Sequence, residues 1–328
     1  MTAKSLILIG VLSWLVSISN AWSASREEVR IDVGGYELNS ILLEPSGRPD
    51  LPPIVFIHGA SASLYDPMFS FRPKLEGRTK LLFIDRPGHG SSEIGGLENG
   101  FPDGQADAIA KLMDARGIER AIIVSHSFGG SVAAALAVNH PEKVIGLVFL
   151  SPAVYSWEGG VAWYNRVAQV PVLGWVFSGV IVPPIGLTQV NAATRAVFAP
   201  NNRPADYVSK TKAYRAIEPV AFHHNAVEIS NLQKWAKKAA NGYKSIKAPT
   251  IIITGDNDQI VSPEIHSRHL AHDIENAKLI TIHNLGHKSD YVARDVAVAA
   301  ILRISGKKVS MRRIVKQLEQ QIANDSSD

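Results

Sequence analysis

The sequence predicts a doubly wound α/β fold, in which helices cover both faces of a mostly parallel sheet and a helical lid is inserted between two strands. Short continuous apolar runs of strand length recur along the chain, and helical stretches alternate with them. Strands that are buried on both faces give such runs, whereas strands with one solvent-exposed face alternate apolar and polar residues. The alternation stops between residues 153 and 247 and then resumes, which indicates an insertion.

The predicted strands begin with a hairpin, because residues 29–33 and 38–43 flank a Gly34-Gly35 turn. Six continuous apolar runs follow, and each has the length of a buried strand. They are residues 54–57, 81–84, 121–124, 144–150, 250–253 and 279–282. The predicted helices between and after them are residues 104–116, 129–139, 263–271 and 290–304.

The inserted segment is rich in proline and aromatic residues, and Trp163 and Trp175 lie in its first part among valines. It is interpreted as a helical lid with its own packing, or as a lid whose aromatic side chains also line an apolar substrate pocket. Both interpretations hold if the lid packs on the sheet and also covers the site. The predicted divisions are a leader at 1–25, a core at 26–152 and 248–306, the lid at 153–247, and a basic helix and tail at 307–328.

The N-terminus has the order of a secretory signal peptide, with Lys4, an apolar stretch at residues 6–18 and then small residues. At about 1.5 Å per residue this stretch is shorter than the roughly 30 Å bilayer core. Export to the periplasm or medium is therefore expected, with cleavage after Ala21 or Ser23. A membrane anchor formed by residues 5–24 is the alternative.

Composition excludes several classes of protein. A net charge of +4, with Lys and Arg spread along most of the chain, does not favour nucleic-acid binding. The chain has no cysteine, which rules out disulfides, thiol catalysis and zinc–thiolate sites. His223 and His224 are adjacent and would not share a helix face, so we expect no metal site. No cofactor is expected either. The amphipathic residues 307–322 predict a surface helix, with contact to anionic lipid as the alternative.

One segment, Ser-His-Ser-Phe-Gly-Gly at residues 125–130, follows a predicted buried strand and precedes an alanine-rich helix. A serine in this position sits on a sharp strand-to-helix turn with small neighbours. The turn would expose the Ser127 hydroxyl at the carboxyl edge of the sheet, where ligands bind in such folds. The Phe128 amide, at the positive end of the helix, would face a developing oxyanion.

This segment resembles the nucleophile elbow of the α/β-hydrolase fold family, and the resemblance extends from about residue 29 to residue 304. The family pattern is G-x-S-x-G, and Ser125 occupies its first position here. A serine nucleophile needs a base and an orienting carboxylate, which follow it in the order acid, histidine. The resemblance implies Asp258 as the acid, with Asp256 as the alternative, and a histidine base further on.

The resemblance also implies the remaining site residues. Gly-His in the loop before the final helix makes His287 the base, in preference to His283. The His-Gly-Ala segment at residues 58–60 is similar to the family's oxyanion loop, so the amides of Ala60 and Phe128 would be the donors. The loop at residues 85–92 resembles the family's next loop, whose expected role is architectural. Candidate substrate contacts are Ser61, His126, Trp163 and Trp175.

A serine at the elbow argues against haloalkane dehalogenases and epoxide hydrolases, which use aspartate there. The expected activity is hydrolysis of a carboxylic ester or related acyl bond in a hydrophobic small molecule. Carbon–carbon bond hydrolysis, lactonase and perhydrolase activity on the same triad are alternatives, since the fold does not separate these chemistries. A non-catalytic ligand-binding protein on the same fold is the alternative from another class.

Overall fold

The computed structural model describes residues 28–325 except 161 and 171, so the predicted leader lies outside the described residues. The described chain forms eight strands that join into one sheet in the order β1-β2-β4-β3-β5-β6-β7-β8. β1 and β2 pair antiparallel with their neighbours, and the other pairs are parallel. The strands are β1 (Val29–Asp32), β2 (Glu37–Leu43), β3 (Ile54–Ile57), β4 (Leu81–Ile84), β5 (Ala121–His126), β6 (Val144–Leu150), β7 (Thr250–Gly255) and β8 (Ala277–Ile282).

Both faces of the sheet are covered, as the continuous apolar runs predicted. Val55 and Ile57 of β3 belong to one buried cluster, and Ile54 and Phe56 belong to a second. Because successive strand residues point to opposite faces, the two clusters lie on opposite sides of the sheet. The helices are α1 (Tyr65–Leu75), α2 (Pro102–Ala115), α3 (Phe128–Asn139), α4 (Trp163–Ala168), α5 (Leu173–Val176), α6 (Val182–Phe198), α7 (Tyr207–Lys210), α8 (Pro219–Ala239), α9 (His269–Asp273), α10 (Ser289–Val292), α11 (Arg294–Ile304) and α12 (Met311–Asp325).

Three helical segments differ from the sequence expectation, and one of them, predicted as a single helix at 290–304, forms the two helices α10 and α11. Helix α1 was not predicted, because Pro67 and Pro73 within it break the usual apolar pattern. The segment predicted as one helix at 263–271 is a π turn, Glu264–Arg268, followed by α9. Helix α12 packs the apolar side of its amphipathic pattern onto the second core cluster, with Ile322 only 4% exposed.

The lid helices α4 to α8 lie between β6 and β7 in the chain, and a buried ion pair fastens them to the sheet domain. Glu228 of α8 and Arg86, which follows β4, are both fully buried and form a bidentate pair of 2.6 and 2.9 Å. His89 and Gln105 also bind the Glu228 carboxylate, at 2.9 and 2.8 Å. Burial by itself would raise the pKa of Glu228, but the Arg86 guanidinium and His89 hold it well below its usual range.

The same guanidinium reaches the loop after β3. Arg86 donates from Nε to the carbonyl oxygen of His58 at 3.0 Å, and from Nη2 to that of Gly59 at 3.0 Å. Its guanidinium carbon also lies 4.6 Å from the centre of the Phe128 ring. The lid is thus connected through one arginine to the segment before Ala60 and to the residue after Ser127.

Replacing Glu228 by Gln should destabilise the protein strongly, because it leaves the buried Arg86 charge uncompensated. We expect the free energy of unfolding to fall by about 3–5 kcal/mol, measured by urea denaturation. Glu218→Gln is the matched control, since Glu218 is 48% exposed and its pair with Arg215 is a surface contact of 3.5 Å. That change should cost under about 1 kcal/mol. Equal losses in the two variants would show that the buried pair does not fasten the lid.

Candidate active site

Ser127 lies between β5 and α3 in a backbone conformation that non-glycine residues rarely adopt, with φ 51° and ψ −121°. Such a conformation costs about 1–3 kcal/mol and persists only where its surroundings impose it. Here the Ser127 N–H donates to the carbonyl oxygen of Leu150 at 3.0 Å. The Ser127 carbonyl oxygen accepts from Gly130 at 2.9 Å and from Ala153 at 3.0 Å. These bonds hold the turn against β6 and the segment that follows it.

Glycines are required after Ser127 because other segments of the chain approach the backbone closely there. A Cβ atom on Gly129 would lie 2.5 Å from the carbonyl oxygen of Ile57, and one on Gly130 would lie 2.7 Å from Cβ of Pro152. The first position of the motif, where the family pattern has glycine, accommodates the buried side chain of Ser125, which is 1% exposed. Its hydroxyl has no hydrogen-bond partner among the residues that the structure describes.

The structure brings together the predicted acid and base. Nδ1 of His287 lies 2.8 Å from Oδ2 of Asp258, and both side chains are at most 5% exposed. The other carboxylate oxygen, Oδ1, accepts from the N–H groups of Ile260 and Val261, each at 2.9 Å. Burial would raise the pKa of Asp258, but the hydrogen bonds from His287 and from these two amides lower it below its usual value. The carboxylate is therefore ionised at neutral pH and aimed at the imidazole.

Asp256 and His283, the alternative acid and base in the sequence, form a second pair on the surface. Oδ2 of Asp256 lies 2.7 Å from Nδ1 of His283, with 41% and 71% of these side chains exposed. Asp256 Oδ1 also accepts from the N–H of Asn284 at 2.8 Å. This pair closes the loop after β8 from outside, so Asp256 has the loop-capping geometry and Asp258 the geometry that reaches His287.

Contacts on several sides fix the loop that carries His287. His126 binds the His287 carbonyl oxygen through Nε2 at 2.9 Å, and the Gly286 N–H donates to Oδ1 of Asn201, a lid residue, at 2.8 Å. The buried Lys288 ammonium lies 2.8 Å from Asp66 and 2.9 Å from Asp290. His126 is thus a supporting residue of the base loop, and we find it buried rather than at the cavity described below.

One side-chain cluster offers ligand atoms for a cation. Oxygen or nitrogen atoms of Asp66, His126 and Asp290 lie within 4.8 Å of one another. Lys288 already supplies the positive charge there, since burial would lower its pKa but Asp290 and Asp66 raise it well above its ordinary value. Burial also holds the pKa of His126 well below its usual value. The donor set of this cluster therefore suits the ammonium that it contains.

Ser127 opens onto a cavity of about 500 Å³ between the sheet edge and the lid. Ala60 and Phe128, whose amides were predicted to bind an oxyanion, line it together with Asp258. Its remaining walls are mainly apolar, and neither Lys nor Arg is among the lining residues in the described chain. Those walls comprise Ala153, Trp157, Glu158, Ile229, Leu232, Gln259, Ile260, Val261, Ser262, Pro263, Ile265 and His266.

Trp163, Trp175 and Ser61, which were predicted to contact substrate, do not line this cavity. Trp163 and Trp175 are 62% and 48% exposed, because α4 and α5 turn these rings to the outer side of the lid. Trp175 stacks on His223 with ring centres 4.1 Å apart. Ser61 is also exposed, and its N–H donates to Asn225 of α8 at 2.8 Å. The sequence pattern placed the aromatic residues in the lid but did not show which side of the lid meets the sheet.

The lid residues that do reach the cavity were missed. Trp157 precedes the first lid helix, and Ile229 and Leu232 lie one helical turn apart on α8. Their spacing of three residues is a signal of a shared helix face. Helix α8 has a mixed polar and apolar sequence, so its pattern is less distinct than that of the aromatic-rich part of the lid.

Gly129→Ala should destabilise the fold at the elbow, because its new methyl would overlap the backbone oxygen atoms of Ile57 and His58 at 2.5 and 2.6 Å. Overpacking of this kind costs about 1–3 kcal/mol of unfolding free energy, measurable by thermal or urea denaturation. Gly47→Ala is the control, since a Cβ there meets nothing within 4 Å. An unchanged stability for Gly129→Ala would contradict the close approach described above.

Comparison with known proteins agrees with this geometry. Residues 52–290 match the sequence model of the alpha/beta hydrolase fold family. The chain is 27% identical over 242 residues to 2-hydroxymuconate semialdehyde hydrolase of Pseudomonas sp. strain CF600, covering 72% of this chain and 80% of that protein. It is 34% identical over 132 residues to the dihydrolipoyllysine-residue acetyltransferase component of the acetoin cleaving system of Cupriavidus necator, a match that spans 38% of this chain and only 35% of that protein.

Among solved structures, 2-hydroxy-6-oxo-6-phenylhexa-2,4-dienoate hydrolase from Rhodococcus sp. strain RHA1 superposes with a TM-score of 0.66 at 18% identity. The superposition covers 85% of this chain and 98% of that one. The family match spans more than half of the 328 residues and agrees with the sheet order, the elbow and the lid. The chain therefore belongs to the alpha/beta hydrolase fold family of hydrolytic enzymes.

Proposed function

We propose that this protein is a serine hydrolase that cleaves a carboxylic ester or related acyl bond of an uncharged, hydrophobic small molecule. The observation that carries the proposal is the joint position of Ser127 and Asp258 at one cavity, with Asp258 bound to His287 at 2.8 Å. Ser127 is the nucleophile, His287 the general base and Asp258 the residue that orients the base.

The geometry supports one assignment of the protons. Because the carboxylate of Asp258 accepts from Nδ1 of His287, the free nitrogen of the neutral ring is Nε2. In the proposed reaction Nε2 removes the Ser127 proton as Oγ attacks the substrate carbonyl. The same nitrogen then protonates the leaving alcohol, and an acyl-enzyme remains on Ser127. Water deprotonated by His287 releases the acid and restores the serine.

The negative charge of the tetrahedral intermediate develops on the former carbonyl oxygen. Phe128 is the first residue of α3, so its N–H belongs to the helix groups that lack an intrahelical partner. Ala60 lies on the loop that abuts the elbow, since a Cβ on Gly59 would be 3.1 Å from Cβ of Ser127. We assign the amides of Ala60 and Phe128 as the oxyanion donors on this basis.

The lining of the cavity favours an uncharged substrate. Its ionisable side chains include Glu158 and Asp258, and no Lys or Arg lies among the described lining residues to bind a carboxylate. The relative named 2-hydroxymuconate semialdehyde hydrolase acts, by that name, on a compound with a carboxylate group. A buried carboxylate without a cationic partner would be strongly disfavoured here. We therefore prefer esters, lactones included, over carbon–carbon bond cleavage of such acids.

Asp258→Asn should abolish most turnover while the fold persists. The amide keeps the size of the side chain but no longer holds the imidazole in the required tautomer or stabilises its charged form. In a related triad this change lowers turnover about 10⁴-fold. The measurement is kcat for a p-nitrophenyl ester of a short fatty acid, with circular dichroism to verify folding.

Asp256→Asn provides the matched control for that change. It alters an aspartate two residues away that is also paired with a histidine, but on the surface. It should leave kcat nearly unchanged. Loss of turnover in Asp256→Asn together with retention in Asp258→Asn would refute the assignment of the acid. Lack of steady turnover in the wild type on every ester, with ligand-dependent changes in melting temperature, would favour a binding protein.

Substrate selectivity should depend on Trp157 and not on Trp163. Trp157→Ala removes a large wall of the cavity, so kcat/KM for longer acyl chains should rise relative to short ones by about tenfold. Trp163→Ala changes an exposed ring outside the cavity and should leave the ratio unchanged. An ester that carries a terminal carboxylate on its acyl chain should be a poor substrate for all three proteins. Rapid turnover of that ester would contradict the preference for uncharged substrates.

A further inference from the structure

The outer side of the lid exposes an unusually apolar helical segment. Residues Leu173–Phe198 form a continuous helical stretch of 26 residues, and an 18-residue window within it has a mean hydropathy of 1.4 with only 17% of its residues buried. It is the one described helix long and apolar enough to cross a membrane. We call its exposed aliphatic side chains the lid apolar face. Its members are Leu173, Val176, Val180, Ile181, Ile185 and Leu187, each between 44% and 66% exposed.

Core helices of soluble proteins bury such side chains, so an exposed apolar face of this kind indicates a binding surface. The stretch is not free to span a bilayer, because its other side packs on the lid. Phe177 lies 6.2 Å from Phe222 of α8 between ring centres, and a Cβ on Gly174 would overlap the Ala168 carbonyl oxygen at 2.0 Å. Polar residues such as Thr188 and Gln189 are also exposed along it. These features suit a helix that lies in the membrane interface.

Every charged residue in the segment that carries the lid apolar face is basic, and the neighbouring Glu218 is paired with Arg215 at 3.5 Å. The sequence has no Asp or Glu between Glu158 and Asp206, whereas Arg166 and Arg195 in this stretch are exposed. Anionic headgroups attract basic residues that flank an inserted apolar surface, and acidic residues would oppose the attraction. The charge pattern therefore suits a negatively charged lipid surface.

The start of the described chain lies near the same part of the lid. The Glu28 carboxylate accepts a hydrogen bond from Tyr65 and lies 3.8 Å from the ammonium of Lys212. The turn after Lys212 contacts α6 closely, since a Cβ on Gly186 would be 2.7 Å from Cγ2 of Ile217. The apolar residues 6–18 end ten residues before Glu28 in the sequence, a reach of at most about 36 Å. A leader inserted in a membrane would hold the lid apolar face within reach of that membrane.

We propose that the lid apolar face docks on an anionic lipid bilayer, with the helical stretch Leu173–Phe198 lying in the interface. This inference rests on exposure, charge and placement, and is independent of the proposed hydrolytic activity. The lid would then bind a membrane surface in addition to covering the cavity.

The test uses the full chain and vesicles of phosphatidylcholine with and without phosphatidylglycerol. The variant Leu173→Glu/Val180→Glu/Ile185→Glu places charge on the lid apolar face, and its vesicle partition coefficient should fall at least about tenfold in cosedimentation. The control Ser46→Glu/Asn276→Glu/Thr281→Glu makes the same change in net charge on exposed positions of the sheet domain, outside α12 and the lid. It should change the partition coefficient less than about twofold. Thermal unfolding verifies that both variants fold.

Hydrogen exchange separates docking of the lid from attachment by the leader. Vesicles with phosphatidylglycerol should slow amide exchange in residues 172–187 of the wild type. Vesicle binding without that protection, an equal loss in the control variant, or no vesicle binding would each overturn the proposal. A dimer in the absence of vesicles that the lid variant dissociates would also overturn it, because a second copy would then cover the face.

Discussion

The backbone turn at Ser127 is the constraint on which the rest of the site depends. Its left-handed φ of 51° is held by hydrogen bonds to Leu150, Gly130 and Ala153, and therefore by the pairing of β5 with β6. The turn also requires Gly129, because β3 ends against it with the Ile57 carbonyl oxygen in the space that a Cβ would fill. Three neighbouring elements thus impose a strained conformation that none of them would adopt alone.

The lid is more than a cover over this turn. Its helix α8 contributes Ile229 and Leu232 to the cavity and Glu228 to a fully buried ion pair with Arg86. Arg86 in turn binds the carbonyl oxygens of His58 and Gly59, immediately before Ala60. A change in the packing of α8 would therefore alter both the shape of the cavity and the loop proposed to bind the oxyanion.

The sequence was sufficient to predict elements whose signal is local. Continuous apolar runs identified the buried strands, and small residues after Ser127 identified the turn. The residues proposed as acid and base each follow a strand in a recognisable loop, and the structure pairs His287 with Asp258 rather than with Asp256.

Features that depend on distant contacts were beyond the sequence pattern. Glu228 lies 142 residues from Arg86, and nothing near either residue indicates the pair. Trp163 and Trp175 were predicted to contact substrate, but lid orientation, which a linear pattern does not encode, turns them outward. Trp157 reaches the cavity because the chain enters the lid beside the elbow, a consequence of β6 ending next to β5.

Covalent labelling by a fluorophosphonate, followed by mass spectrometry of the peptide that contains residues 125–130, tests whether Ser127 is the nucleophile. We expect one adduct, on Ser127, in the wild type and in a Ser125→Ala variant, whose altered side chain is the buried neighbouring serine. Ser127→Ala should show no adduct. Labelling that persists in Ser127→Ala, or a folded wild type that does not react, would contradict the assignment of Ser127 as the nucleophile.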